Sequence, residues 1–573
     1  MPVKRTRAGL VGVLCFCLFF LMLFEGPPAW AGAKTDRILR IGLLEEPKTL
    51  NIWMASDAWS NKVLSQIHEP LFVREPGSLR LIPWLAEREP LYEAETLSYT
   101  VRLREARWSD GSPVTAEDVA FTGEVIQAFK IPRFYSNWRF VKKIETLDAR
   151  TIRFFLQEPR AIFRTRTLTT PIVQKAQWAE VVNRAKASEK PLIRLFNHRI
   201  EKPVGTGPFV LEEWEPGAYL FLQENPYFFG RGETIAGHEL GPFIDGLIFK
   251  KFGTPDAAVL ALRKGSIDFF WWGIQAGYIP DLIGDQNIRL FSNEKSAIYY
   301  LGFNLRKPPF NDLRFRRAAA MLIDKNFIMR RILQGYALEM HAVIPPGNTA
   351  WHLSEDPGYG SGLDREARIR KAHRILQEGG YTWRQAPVDE KGRVVQGEGI
   401  RSPDGSVVDR IRILTPPADY DPLRAMTGIM IQEWLKMAGI PAAARPMSLN
   451  AMTHQVRDRR EFDLFVLGYG NLSLDPDYVR NLFHSRHNRP RGWNTSGYEN
   501  PAFDRLADES AACMDEDKRK ALVREMQRLI MRDIPFLPLY NPKIVEPVRV
   551  DRFTGWVEMV GGIGNRWSFC GIK

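Results

Sequence analysis

Apolar and polar side chains alternate through LSYTVRL (97–103), with Leu97, Tyr99, Val101 and Leu103 on one side and Ser98, Thr100 and Arg102 on the other. Successive strand residues point to opposite faces, so this pattern predicts a half-buried strand. RILRIGLL (37–44) and FDLFVLGYG (462–470) carry apolar runs between turn-forming residues and predict buried strands. Before the second of these lies a segment with helical spacing, in which Leu423, Met426, Met430, Trp434 and Met437 form one stripe and Gly439 stops the helix. Strand, helix and strand joined by short connections predict an α/β layer. A further helix is predicted from Thr115, after a turn at Asp110-Gly111. Thr115 and Asp118 have capping-box spacing, so Glu117 and Asp118 serve the helix start and need no catalytic role.

The stretch GTGPFVLEEWEPGAYLFLQENPYFFG (205–230) opens like a phosphate-binding loop. A dinucleotide fingerprint needs a third glycine, and Val210 occupies that place. Pro208 breaks a helical start, while Phe209, Leu211, Tyr219 and Phe221 alternate, so two strands around a Pro216-Gly217 turn are expected. The glycines then serve backbone geometry.

At 573 residues with 45% hydrophobic positions, the chain suffices for three or four domains or for one large cleft-bearing protein. Lys4, Arg5 and Arg7 precede an apolar run from Ala8 to Phe24, and Ala29-Trp30-Ala31 offers small residues for cleavage after Ala31. This reads as a cleavable export signal, the alternative being an uncleaved membrane anchor. Cys15 and Cys17 lie inside the apolar run, and Leu14 precedes Cys15 where a lipid-attachment site needs a small residue, so no lipoprotein is expected. Of the four cysteines, Cys513 and Cys570 remain after cleavage and read as buried free thiols rather than a bridge.

The formal charge of +12 falls to +10 when the signal removes three basic residues and Glu25. Its basic residues are interspersed with acidic ones, which argues for a solvated surface and against nucleic acid. No Gly-x-Ser-x-Gly, His-Glu-x-x-His or Gly-x-x-x-x-Gly-Lys-Ser/Thr motif occurs, so no catalytic residue is assigned. His484 and His487 have His-x-x-His spacing, with His454 upstream, but no dense His or Cys tract accompanies them. Neither a metal nor a cofactor is expected.

Several segments in order resemble one family, the extracytoplasmic solute-binding proteins of peptide and nickel type ABC importers, called family 5. They are LREARWSDGSPVTAEDVAFT, GTGPFVLEEWEPGAYLFLQENPYFF and YYLGFNLRKPPFNDLRFRRAAAMLIDKNFIMRRILQGYA. The last carries Asn304, Pro309, Asp312, Arg314, Arg317, Ala318, Asp324 and Gly335. ALRKGSIDF, IQEWLKMAGI, NPAFDRL and IPFLPLYNP add shorter matches, and together they span most of residues 37–545.

The resemblance implies an α/β, two-lobed periplasmic-binding-protein fold of the cluster C type, with hinge-linked lobes and an extra N-terminal subdomain. By analogy, residues 1–31 are the signal. Residues 32–75, 201–296 and 533–573 build lobe I, 76–200 the extra subdomain and 297–532 lobe II. The implied role is capture of a small oligopeptide or peptide-like solute by a periplasmic monomer, which delivers it to an ABC permease and ATPase complex. Open alternatives are an oligosaccharide or metal-chelate ligand in the same role, a signalling or chaperoning binding component, and a secreted hydrolase.

Ligands of open α/β sheets bind beyond the carboxyl ends of strands, which points to Asn51–Met54 after the first strand and to Tyr469, Gly470 and Asn471 after a later one. Trp53, Trp271, Trp272 and Trp493 are the tryptophans expected nearest the cleft loops, as stacking surfaces. Peptide-binding members of the family commonly hold the ligand's amine with an aspartate in this later loop. Here Gly470, Asn471 and Leu472 occupy the positions concerned, while Asp475 and Asp477 read as a turn and helix start. Asn471 is then the group expected to meet a neutral polar ligand, because a buried ammonium without a carboxylate is costly.

Overall fold

The expected strand at the start of the mature chain forms over Ile38–Leu43 and is buried along almost its whole length. It belongs to the computed structural model of the chain, which describes residues 37–573; the expected export signal, with Cys15 and Cys17, lies outside the described residues. Among the described residues no helix is long and apolar enough to cross a membrane.

Mixed pairing organises the largest sheet. Ile38–Leu43 runs parallel to Phe269–Phe270, and Phe209–Glu215, Tyr219–Glu224 and Gly246–Lys251 extend this half as antiparallel neighbours. The strand pair around Pro216-Gly217 therefore forms as its alternation predicts. Gly205 and Gly207 pass so close to the end of the helix Ala58–Ile67 that an added Cβ would lie 1.9 Å from the Ile67 carbonyl oxygen and 2.2 Å from that of Gln66. Close backbone approach, rather than a turn or a phosphate cradle, is what requires glycine there.

In the other half of the sheet, Ile411–Thr415 lies parallel to both Ala442–Pro446 and Leu464–Tyr469. The helix Pro422–Met437 connects the first two of these strands, giving the α/β layer expected from the pattern. Hydrophobic clusters cover this half from two sides, one containing Leu301, Ile413, Ile431 and Val466, the other Tyr300, Phe465, Phe483 and Phe536.

A separate antiparallel sheet has the order Leu91–Glu93, Ser98–Arg102, Thr151–Leu156 and Val141–Asp148. Tyr99 and Val101 point into its core, as predicted. The helix Ala116–Phe129 crosses this sheet, and its start confirms the cap: the Thr115 amide and hydroxyl donate to Asp118 at 2.9 and 3.0 Å. Asp118 also accepts from Trp108 Nε1 and the Lys175 amide, so its carboxylate is wholly engaged in structure. Cys513 and Cys570 are both free thiols, and burial pushes the Cys570 thiol up.

Candidate ligand-binding cleft

The two halves of the large sheet share one long strand, Phe536–Arg549. It pairs with Ile288–Glu294 on one side of the crossing and with Ile298–Phe303 on the other. Lys295, Ser296 and Ala297 make a second passage, in the opposite direction, between those two partners. Asn541 ties the passages together, donating from Nδ2 to the carbonyls of Lys295 at 2.7 Å and Ala297 at 3.0 Å. Two short adjacent crossings are the geometry of a hinge, because few backbone dihedrals need change for the halves to rotate.

Beside this crossing, the loop after Leu464–Tyr469 is anchored by the Leu472 amide, which donates to the Ser296 carbonyl at 2.6 Å. The loop forms one wall of a cavity of about 700 Å³. Tyr469, Asn471, Ser473, Tyr478 and Trp493 line that wall, and residues of the four-stranded-sheet unit, among them Asn137, Arg139, Gln157 and Arg166, line the other. Tyr469 hydrogen-bonds Tyr300, and burial raises its phenol. The Trp493 indole carries the Arg457 guanidinium 4.1 Å above its ring. Aromatic faces, amides and charged groups thus converge on a space of the size that small ligands occupy.

Of the residues expected at the site, Tyr469, Asn471 and Trp493 come together here, although they lie on different loops. Gly470 is exposed between the first two, and open space surrounds it. The remaining tryptophans depart from expectation. Trp53 is 2% exposed and packs edge-on against Trp178, because Asn51 ties its loop to the carbonyls of Leu195, Phe196 and His198. Trp271 is 4% exposed, packed on Phe569 with Lys62 Nζ 3.9 Å over its ring. Trp272 is exposed but pairs with Trp59, and neither it nor Trp271 lines the cavity. His484 faces Asp504 and Asp508 at 3.2 and 3.3 Å, and its Nδ1 accepts from the Arg486 amide.

The far wall was not read from the sequence. Ser136 and Asn137 stand on the short helix Tyr135–Trp138, Arg166 on the short helix Phe163–Thr167, and Arg139, Gln157 and Arg160 in loops; nothing in their local composition marks a site, and only the fold sets them against residues 469–493.

Residues 80–490, well over half of the chain, match the family described as "Bacterial extracellular solute-binding proteins, family 5 Middle". The chain belongs to this family of solute-binding proteins. Among curated relatives, the oligopeptide-binding protein AppA of Bacillus subtilis is 25% identical over 95% of this chain and 94% of its own. Solved family 5 neighbours share the fold. HbpA2 of Haemophilus parasuis superposes with a TM-score of 0.75 over 94% of this chain and 99% of its own at 22% identity. AppA crystallised with a nonapeptide gives 0.65 over 92% and 98% at 23% identity.

In this family 5 chain the acidic residues of the cleft loop are already engaged. Asp475 is buried and receives Arg519 through two bonds of 2.8 and 2.9 Å, together with the Thr165 hydroxyl at 2.5 Å. Burial alone would raise its carboxyl, but Arg519 and Thr165 hold it well below the ordinary carboxylate range. Asp477 opens the helix Asp477–Phe483 and takes Arg480 at 2.8 and 2.9 Å. Both aspartates are therefore structural, as the turn and helix-start reading expects. Thr165 precedes Arg166 of the far wall and lies outside the cavity lining; its bond to Asp475, like that from the Ala161 amide to the Ala511 carbonyl at 3.0 Å, ties the segment 161–166 to the side of the molecule that carries the cleft loop.

Proposed function

We propose that this chain is the substrate-binding component of an ABC importer, which captures a small oligopeptide or peptide-like solute and delivers it to a membrane permease and its ATPase. The observation that carries the reading is the cavity of about 700 Å³ beside the double-strand crossing, walled by the free end of Leu464–Tyr469 and by Trp493. That volume falls within the roughly 300–1,000 Å³ of small-molecule sites and accommodates a short peptide. A strand end offers main-chain donors and acceptors to an extended ligand, and a mixed polar and aromatic lining tolerates varied side chains. The name and bound nonapeptide of AppA support the same class of ligand.

In this reading lobe I comprises residues 32–75, 201–296 and 533–573, the extra subdomain 76–200 and lobe II 297–532. Binding shifts the lobes from open to closed about the crossings at 295–297 and 541–543, and the permease recognises the closed form. The protein acts by binding, without turnover, as a periplasmic monomer released from its signal after Ala31 and not lipid-anchored.

Native mass spectrometry of the exported protein, purified without refolding, tests this. A mass beginning at residue 32 with short peptides bound is expected. A co-purified glycan or metal chelate, or hydrolysis of an added peptide, overturns the peptide-import reading.

A further inference from the structure

The charges around the cavity do not balance. Arg139, Arg160, Arg166 and Arg480 line it, against Glu158 and Asp477 alone among the acidic residues. Both carboxylates are already paired: Asp477 takes Arg480 at 2.8 and 2.9 Å, and Glu158 takes Arg160. Asp475, behind the wall, is consumed by Arg519. Among the described residues no carboxylate pairs with Arg139 or Arg166; Arg166 is half-buried and Arg139 exposed at the cavity mouth. At the rim, Arg457 over Trp493 also lacks a carboxylate partner, and its Nε is buried without a hydrogen bond.

Uncompensated guanidinium groups in a partly desolvated cleft repel an ammonium and favour an oxyanion. Arginine's planar fork matches a carboxylate through two parallel bonds, which a water molecule does not reproduce. The wall facing these arginines offers no unpaired acid: Gly470, Asn471 and Leu472 precede Asp477, whose carboxylate Arg480 already holds. Asn137, Gln157, Asn471 and Asn481 add neutral donors.

We propose that the cavity selects anionic solutes, with a carboxylate of the ligand docking between Arg139 and Arg166 while the ligand's apolar portion rests on Trp493. This rests on the peptide-capture reading and narrows it to acidic peptides, or to peptide-like acids whose amine is blocked or absent.

Isothermal titration of the mature protein with Ala-Glu-Glu-Ala, Ala-Ala-Ala-Ala and Ala-Lys-Lys-Ala separates the two ideas. The acidic peptide is expected to bind about tenfold or more tightly than the basic one at low salt, the scale of one charge-assisted bond, and 0.5 M salt narrows the gap. In Arg166→Met the gap shrinks while the thermal midpoint holds. Equal affinity for all three peptides, or preference for the basic one, overturns anion selection and leaves peptide capture standing. If none of the three binds, the peptide reading falls, and charge preference is measured with glutarate against cadaverine. A midpoint raised by glutarate in the native protein but not in Arg166→Met supports the anion site. No rise, or the same rise in both proteins, overturns it.

Discussion

Two buried charged groups lie near the cleft and are built in opposite ways. Asp475 meets four donors: two from Arg519, the Thr165 hydroxyl and the Asp477 amide. Glu546 is equally buried and accepts from the Ile563 amide at 2.6 Å, yet its Oε1 has no hydrogen-bond partner among the described residues. Glu294 Oε2, Ser296 Oγ and Asn293 Nδ2, at or beside the crossing, are likewise without partners. The cations felt by Glu546 are Lys62 and Lys295, and Lys62 Nζ rests on the face of Trp271 instead of pairing with a carboxylate. The first group spends its charge on tying the segment 161–166 to the side that carries the cleft loop. The second keeps polar groups in reserve where the chain must bend.

The comparison breaks most sharply if Asp475 is made to resemble Glu546. Arg519→Met strands a buried carboxylate, and loss of one partner of such a pair costs about 3–5 kcal/mol. Urea denaturation should show that loss, and a change below 1 kcal/mol would demote the pair to a surface contact.

Next in size is pH dependence at the hinge. Burial pushes the Glu546 carboxyl up from 4.5 to about 7, and burial, against the pull of Glu546, brings Lys62 down from 10.5 to about 7. Between pH 4.5 and 7 the folded protein keeps a Glu546 proton that the unfolded chain has released, so this contribution to stability falls as pH rises. Between pH 7 and 10.5 the unfolded chain keeps a Lys62 proton that the folded protein has released, so it recovers. A minimum near neutral pH follows. In denaturation curves across this range, Lys62→Met with Glu546→Gln should flatten it. An unchanged profile would place the titration elsewhere.

Two smaller effects concern the cavity. Thr165→Val removes the hydroxyl that crosses to Asp475, and ligand affinity is expected to fall about fivefold, the worth of one hydrogen bond, with a larger scattering radius for the liganded protein. Trp493→Ala should weaken binding by about 1 kcal/mol through lost stacking and leave thermal stability unchanged. Full affinity in Thr165→Val would show that this bond does not contribute to the liganded state, and full affinity in Trp493→Ala would move the ligand away from the indole.

Local chemistry made much of the fold legible. The Thr115 and Asp118 cap, the alternation at 97–103 and the strand pair around Pro216-Gly217 depend on neighbours within a few residues, and each forms. The stripe expected on the helix Pro422–Met437 holds at its C-terminal end, where Trp434 is buried and Met430 and Met437 pack against the core, and fails at its start. Leu423 and Met426 are 41% and 47% exposed, whereas Ala425, Gly428, Ile431 and Leu435 face the sheet. Gly428 sits where an added Cβ would come within 2.3 Å of Thr415 Cγ2, so the helix packs through its smallest residues. At the start of the helix side-chain bulk alone pointed to the wrong face, because close packing depends on what the opposing strand presents.

The site divides along the same line. Readable along the chain were the strands at 37–44, 97–103 and 462–470 and the pair around Pro216-Gly217, the glycine-lined return at 205–207, the family resemblance, and the loop in which Tyr469 and Asn471 stand. Folding alone brings Trp493 to join them and sends Trp53 and Trp271 into the core, gives Asp475 to Arg519, and leaves Arg139 and Arg166 facing the cavity. Periodicity and capping act over a few residues along the chain, whereas burial and charge pairing are settled between groups such as Thr165 and Asp475, separated by 310 positions and brought to 2.5 Å by folding.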